Sequence, residues 1–163
     1  MGDEIPFFDP RDGGVDARVL FLLEAPGGKA VASGFISRDN PDPSARNVSL
    51  ISDEAGLLRM QTVAWNIVPW YVGSGSRIRP VNQMDIDSAI QALGRLPSLL
   101  PELKVVLLVG AKAQKAKQVV SDLFSVPTLS CPHPSQRVFN VWPDKRNKVR
   151  EIFAEAAKLA TTG

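Results

Sequence analysis

Four short segments of the chain are apolar against a polar background: 17–23 (ARVLFLL), 62–69 (TVAWNIVP), 104–109 (KVVLLV) and the shorter 127–131 (PTLSC). Near-continuous runs of this length read as strands buried on both faces. The stretches between them repeat with a helical period. Val48, Ile51, Ala55 and Leu58 share one face of a segment beginning near 43, for which Asp42 or Ser44 supplies a cap. Ile86, Ile90, Leu93 and Leu96 do the same over 85–99, with Pro97 falling where that helix should break. Segment 111–124, rich in Ala, Lys and Gln, and segment 143–160 complete four predicted helices.

Buried strands alternating with helices predict an α/β fold. The expected form is three layers, α/β/α, around a central four-stranded, mainly parallel sheet. No internal repeat or linker interrupts it, so residues 1–163 read as one domain. Residues 1–16 look like a loosely ordered lead-in. The polar segment 29–43 and the Gly/Ser/Arg-rich segment 71–81 read as long loops, and loops of that length are usually functional. In such a fold, ligands sit at the carboxyl ends of the strands. Three unusual tetrapeptides fall at those ends: EAPG from Glu24, NIVP from Asn66 and HPSQ from His133.

Composition removes several chemistries. The single cysteine, Cys131, forms no internal disulfide and no thiolate cluster. The single histidine, His133, excludes two-histidine metal motifs. No apolar run approaches the roughly 18 residues of a membrane span. The acidic, Pro-broken start resembles no signal peptide. A soluble, cytoplasmic setting is therefore expected, with no metal and no cofactor. A net charge of +2 is too small to argue for nucleic acid by itself.

Each candidate residue has an ordinary reading and a functional one. Glu24 is either a solvated turn residue or a carboxylate at a strand end, where Gly27 and Gly28 allow close backbone approach to a ligand. Asn66 lies between Trp65 and Ile67. Its amide must be satisfied, either by backbone or by the donor–acceptor edge of a planar ligand such as a nucleobase. His133 is held between Pro132 and Pro134 on a stiff loop. Ser135 and Gln136 offer hydroxyl and backbone N–H groups to phosphate. Phe35, an aromatic inside the polar segment, is placed to stack on a flat ligand. Arg77, Arg79 and Arg137 would share the site face and make it locally basic. Cys131 reads as core.

Together, LLEAPGGK (22–29), WNIVPW (65–70), VVLLVGAKAQ (105–114) and HPSQR (133–137) resemble the uracil-DNA glycosylase superfamily, in order and spacing, over roughly residues 17–155. The nearest pattern is that of the members whose first motif is GEAPG and whose last is HPS. The resemblance implies a nucleotide flipped out of DNA into a pocket and hydrolysis of its N-glycosidic bond. It implies that Asn66 reads the base, that His133 stabilises the leaving base, and that Ala25, Pro26 and Gly27 shape the pocket and hold water. Phe35 would stack on the base, Ser135 would hold a phosphate, and Arg137 would fill the vacated stack. Ala25 stands where members with a GQDPYH motif carry a catalytic aspartate. Water activation then falls to Glu24, to backbone, or to Asp39 or Asn40. Leu23 replaces the usual Gly, and the four cysteines of iron–sulfur members are absent. The expected partner is DNA carrying uracil or another deaminated base, met by a monomer. A binding module without catalysis and a hydrolase of free nucleosides are the competing readings.

Overall fold

All four apolar runs become strands of one parallel sheet. The computed structural model describes residues 5–74 and 77–162, with the backbone alone at 74 and 77. In chain order the elements are β1 (Phe7–Phe8), β2 (Val19–Leu23), α1 (Gly28–Ser33), β3 (Phe35–Ile36), α2 (Pro43–Glu54), β4 (Thr62–Asn66), β5 (Gly73–Ser74), β6 (Arg77–Ile78), α3 (Gln83–Leu93), α4 (Leu96–Leu99), β7 (Val105–Val109), α5 (Gly110–Ala113), α6 (Lys117–Leu123), β8 (Thr128–Cys131), α7 (Gln136–Val141) and α8 (Asp144–Thr161).

The central sheet has the order β4-β2-β7-β8, every pair parallel. Its register places Leu20 beside Val63 and Val106, and Phe21 beside Ala64 and Leu107. Because side chains alternate along a strand, one set of residues serves each face. Leu20, Leu22, Val63, Val106 and Leu108 pack against α3, α5 and α6. Val19, Phe21, Val105, Leu107 and Cys131 pack against α2, α7 and α8. The rings of Phe21 and Phe153 meet edge-on at 5.1 Å in that second layer. The fold is thus the expected three-layer α/β/α sandwich. The chain moves outward from β2 to β4, then crosses back past β2 to β7. The strand order therefore reverses between β2 and β7, and a crevice opens at their carboxyl ends.

Residues 5–16 are not a loose lead-in. Phe7 and Phe8 pair in parallel with Phe35 and Ile36, and the Phe8 ring lies 4.5 Å from that of Trp65. Asp9 and Asp12 are buried. The Arg59 guanidinium reaches both, Nη2 to Asp9 Oδ2 at 2.6 Å and Nε to Asp12 Oδ1 at 2.9 Å, while its Nη1 takes Asp39 Oδ1 at 2.9 Å. Arg11 holds the other oxygen of Asp39, and the Ser37 hydroxyl donates to Asp9. Three carboxylates are thereby matched to arginines, the condition under which buried charge is tolerated. This clasp fixes the polar segment after β3.

Three local differences from the sequence reading have simple causes. Segment 29–43 contains α1, which ends at Gly34 in the left-handed region (φ +77°), and the two-residue β3. Pro97 does not break the third helix. That helix ends at Leu93, and Pro97 sits in the first turn of α4, where its missing N–H costs nothing. Segment 111–124 is a broken helix with a tight turn at Gln114–Ala116. Among the described residues, no helix is long and apolar enough to cross a membrane.

Candidate active site

The carboxyl ends of the strands enclose a cleft of about 340 Å³ on the α2 side of the sheet. Phe21, Leu23, Ala64 and Val109 make its apolar floor, and Ile36 and Val48 its sides. Ala25, Pro26 and Gly27 form the rim after β2. Gly27 is the N-cap of α1 in an extended conformation, so backbone rather than side chain faces this part of the cleft.

Asn66, the last residue of β4, lines the cleft and is 3% exposed. Its Oδ1 is buried and has no hydrogen-bond partner. An unmet acceptor in an apolar surround carries a desolvation cost of about 1–3 kcal/mol. The backbone-satisfied alternative for this amide oxygen is therefore not what the structure holds.

His133 follows β8 and also lines the cleft. Three contacts brace its loop. Asn47 Nδ2 donates to the Pro134 carbonyl at 2.9 Å. Gln114 Nε2 donates to the Cys131 carbonyl at 2.9 Å. Gly110, at φ +88°, brings its backbone so close that an added Cβ would lie 3.1 Å from His133 Cβ and 3.2 Å from Cδ2. Burial pushes the imidazole pKa below its ordinary 6.5, against the pull of the Asp42 and Glu24 carboxylates. The ring is therefore neutral at pH 7 and retains one N–H donor. Gly110→Ala combines a backbone conformation disfavoured for L-residues with a contact on the ring. It is expected to cost about 1–3 kcal/mol in denaturant unfolding and to move the His133 ring signals in NMR spectra.

The remaining expected site residues divide. Asn40 lines the cleft, its Nδ2 donating to the Phe35 carbonyl at 3.0 Å. Asp39 does not line it, being held by Arg11 and Arg59. Glu24 is turned elsewhere. Its Oε1 accepts the Val81 N–H at 2.9 Å, and it lines a second groove beside the cleft. The Phe35 ring is not brought to the cleft. It is 38% exposed and packs 6.4 Å from Phe7, while its neighbour Ile36 lines the wall. Ser135 caps α7, its Oγ accepting the Val138 N–H at 3.3 Å. Ser135 and Arg137 line the second groove, and Gln136 donates to Asn140 on the exposed side of α7. The side chain of Arg77 lies outside the described residues. Arg79 makes a two-pronged pair with Asp85 at 2.6 and 2.7 Å, which holds that carboxyl well down, at about 2. Cys131 is buried and its thiol is pushed up to about 12, so it is not a nucleophile.

Two charged cleft residues, Asp42 and Arg38, carry no individual functional role in the sequence reading. Asp42 caps α2 through Oδ1, which accepts from the Ser44 and Ala45 N–H groups at 2.7 and 3.0 Å. It also faces the cleft and has no ion pair among the described residues. Taken singly, an acid before Pro at a helix start reads only as a cap, although the polar segment 39–47 that contains it is expected to line the pocket mouth. Arg38, whose side chain is 7% exposed, closes the far end of the cleft beside Asp12. Burial lowers its pKa and raises that of Asp12, each opposed by the other's charge. No group of three metal-ligating side chains converges among the described residues.

Comparison with known proteins fits this geometry. A family model described as the uracil DNA glycosylase superfamily matches residues 10–157. Among solved structures, the solution NMR structure of a "putative Uracil DNA glycosylase" from Methanosarcina acetivorans superposes with a TM-score of 0.59. It shares 13% sequence identity, over 87% of this chain and 92% of that one, a likeness of fold. No curated protein matches.

Proposed function

Because the chain belongs to the uracil DNA glycosylase superfamily, we propose that it releases uracil or another deaminated base from DNA by hydrolysing the N-glycosidic bond. The observation that carries this reading is the unpartnered Oδ1 of Asn66, buried in the wall of an apolar cleft that also holds His133. A flipped base presents an N–H to that oxygen and lies on the apolar floor. Only a base with a donor at that edge relieves the unmet acceptor, so the site selects by the cost of leaving Asn66 unpaired.

Water attacks C1′ as the C1′–N bond breaks, and the bonding pair leaves with the base. The base departs as an anion, and the N–H of neutral His133 stabilises the charge on its carbonyl oxygen. A neutral imidazole is sufficient, because the required group is a fixed donor in a low-dielectric site. Asn40, with its Nδ2 engaged by the Phe35 carbonyl, presents its carbonyl oxygen to orient the water. Asp42 receives the water's proton. Glu24 is spent on Val81 and takes no such role. Ser135 and Arg137 contact the DNA backbone beside the cleft, and Arg137 fills the gap left in the stack.

The test is single-turnover release from oligonucleotides carrying one uracil, hypoxanthine or xanthine, single-stranded and paired, with alkaline cleavage revealing abasic sites. Release of one base above the others supports the reading. Salt-sensitive binding with no release of any base would instead leave a nucleic-acid-binding module, the reading favoured by Glu24 being tied to backbone.

Acidity provides an independent check. The active form carries neutral His133, whose folded pKa lies below 6.5. The release rate is expected to hold from pH 8 down past 6.5 and to fall only below it. Stability follows the same sign. Below about pH 6.5 the unfolded chain binds a proton at this residue that the folded chain does not, so stability decreases as pH falls through that window. Thermal melts and rates measured from pH 5 to 8 check both.

A further inference from the structure

The far end of the cleft holds a polar group that the chemistry above leaves unused. Ala64 and Asn66 both line the cleft from β4, and alternation along the strand puts Thr62 on the same side. Thr62 is the first residue of that strand and Asn66 the last. At the rise of a strand, Thr62 therefore lies about 13 Å deeper. Arg38 reaches that depth, its Nη2 donating to Thr62 Oγ1. Its side chain is 7% exposed and lines the cleft. Asp12 stands beside it, but Nε and Oδ1 are 3.8 Å apart, an ion pair too long for a hydrogen bond. That Oδ1 is taken by Arg59 Nε at 2.9 Å. Among the described residues, the Arg38 guanidinium makes no hydrogen bond besides the one to Thr62. A guanidinium offers donors only. The far end thus carries a fork of N–H groups that lacks acceptors, while the wall above it carries an acceptor, Asn66 Oδ1, that lacks a donor. Asp12 already opposes the positive charge, so the group that completes the far end is a neutral oxygen acceptor rather than an anion.

We propose that Arg38 is a specificity-determining residue: it donates to the second carbonyl of a dioxopurine, xanthine, whose N–H is accepted by Asn66. The inference rests on the reading of the cleft as the base pocket. Depth favours a purine, because a fused two-ring base spans more of the distance from the mouth to Arg38 than a single pyrimidine ring does. The donors then choose between purines. Hypoxanthine has an N–H flanked by one carbonyl. Xanthine has the same two rings with a second carbonyl on the other side of that N–H. Hypoxanthine leaves the Arg38 fork unpaired, a cost that xanthine does not bear. Thr62 and Asp12 hold the fork in place, so little side-chain freedom is lost when the base arrives.

The experiment is fluorescence-anisotropy binding of the full chain to labelled single-stranded oligonucleotides carrying one xanthine, hypoxanthine or uracil on a 2′-fluorinated sugar. The fluorine disfavours positive charge at C1′ and so keeps the base attached, which makes the result independent of whether the protein releases it. Xanthine is expected to bind about tenfold or more tightly than hypoxanthine, the scale of a hydrogen bond to a charged group, and more tightly than uracil. Arg38→Met is expected to bring the two purines to within about twofold of each other. Arg38→Lys keeps a cation opposite Asp12 and serves if the Met variant does not fold. It is expected to lose most of the preference, because a point ammonium cannot hold Thr62 and the carbonyl together as the planar fork does. A parent protein that binds xanthine and hypoxanthine alike overturns the assignment, as does a preference that Arg38→Lys leaves at the parent value. A xanthine preference that is lost with Arg38, in a protein that releases no base from unmodified oligonucleotides, leaves the role of Arg38 standing and the glycosylase reading fallen. Release of bases by a protein with no xanthine preference does the reverse.

Discussion

Replacing His133 with Ala is expected to lower the single-turnover rate of base release by about 10²–10³-fold while affinity for the oligonucleotide stays within a few-fold. The magnitude follows from what the imidazole does. On the proposed mechanism it donates one hydrogen bond to a charge that exists fully only as the base leaves, and loss of a single such donor typically costs about that much. The substrate's carbonyl carries far less charge in the ground state, so binding is spared. The braces at Asn47, Gln114 and Gly110 hold the loop without the ring, so the variant is expected to fold. Rapid-quench release and equilibrium binding, measured on the same protein, separate the two effects. A rate within threefold of the parent would remove His133 from the chemistry.

Asn66→Ala is expected to erase the preference among bases, a loss of discrimination of about 10⁴ between the best base and its poorest competitor. Sites built to hydrogen-bond one edge discriminate on that scale. Its effect on stability sets it apart from an ordinary core truncation. The folded chain already bears the cost of a desolvated carbonyl oxygen with no partner. Deleting that oxygen returns part of the cost, and the variant is expected to unfold within about 1 kcal/mol of the parent. The measurements are competitive release from mixed oligonucleotides and a urea titration. A protein that no longer folds would make Asn66 a structural residue, and the cleft would lose its reader.

How much of this was legible in sequence depended on the range of the forces involved. The strands were, because β2 and β7 are covered on both faces and so are written as unbroken apolar runs. The convergence of Ala25–Gly27, Asn66 and His133 was also legible, since strand ends in a parallel sheet meet at one edge. Short helices were not. α1 and α7 have six residues each, too few for a period to show. The role of residues 9–12 was invisible because their partner, Arg59, lies 47 to 50 positions away. Phe35 reads as a stacking aromatic by residue type. Strand alternation in β3 decides otherwise, setting Ile36 against the cleft and Phe35 outside it. Asp42 shows the opposite case, in which a locally obvious cap also faces the pocket because α2 starts there.

The Arg59 clasp makes the beginning of the chain an architectural part of the pocket. Asp12 lines the far end of the cleft beside Arg38, whereas Asp9 lies outside it and acts through Arg59 and Ser37 on the segment that carries Arg38 and Asn40. Heritable change at Asp9 is therefore expected to alter specificity at a distance. On the proposed function, selection on which base is released would act on a residue that a catalogue of contacts would assign to scaffolding. Two lineages could diverge in substrate while every residue touching the base stayed the same.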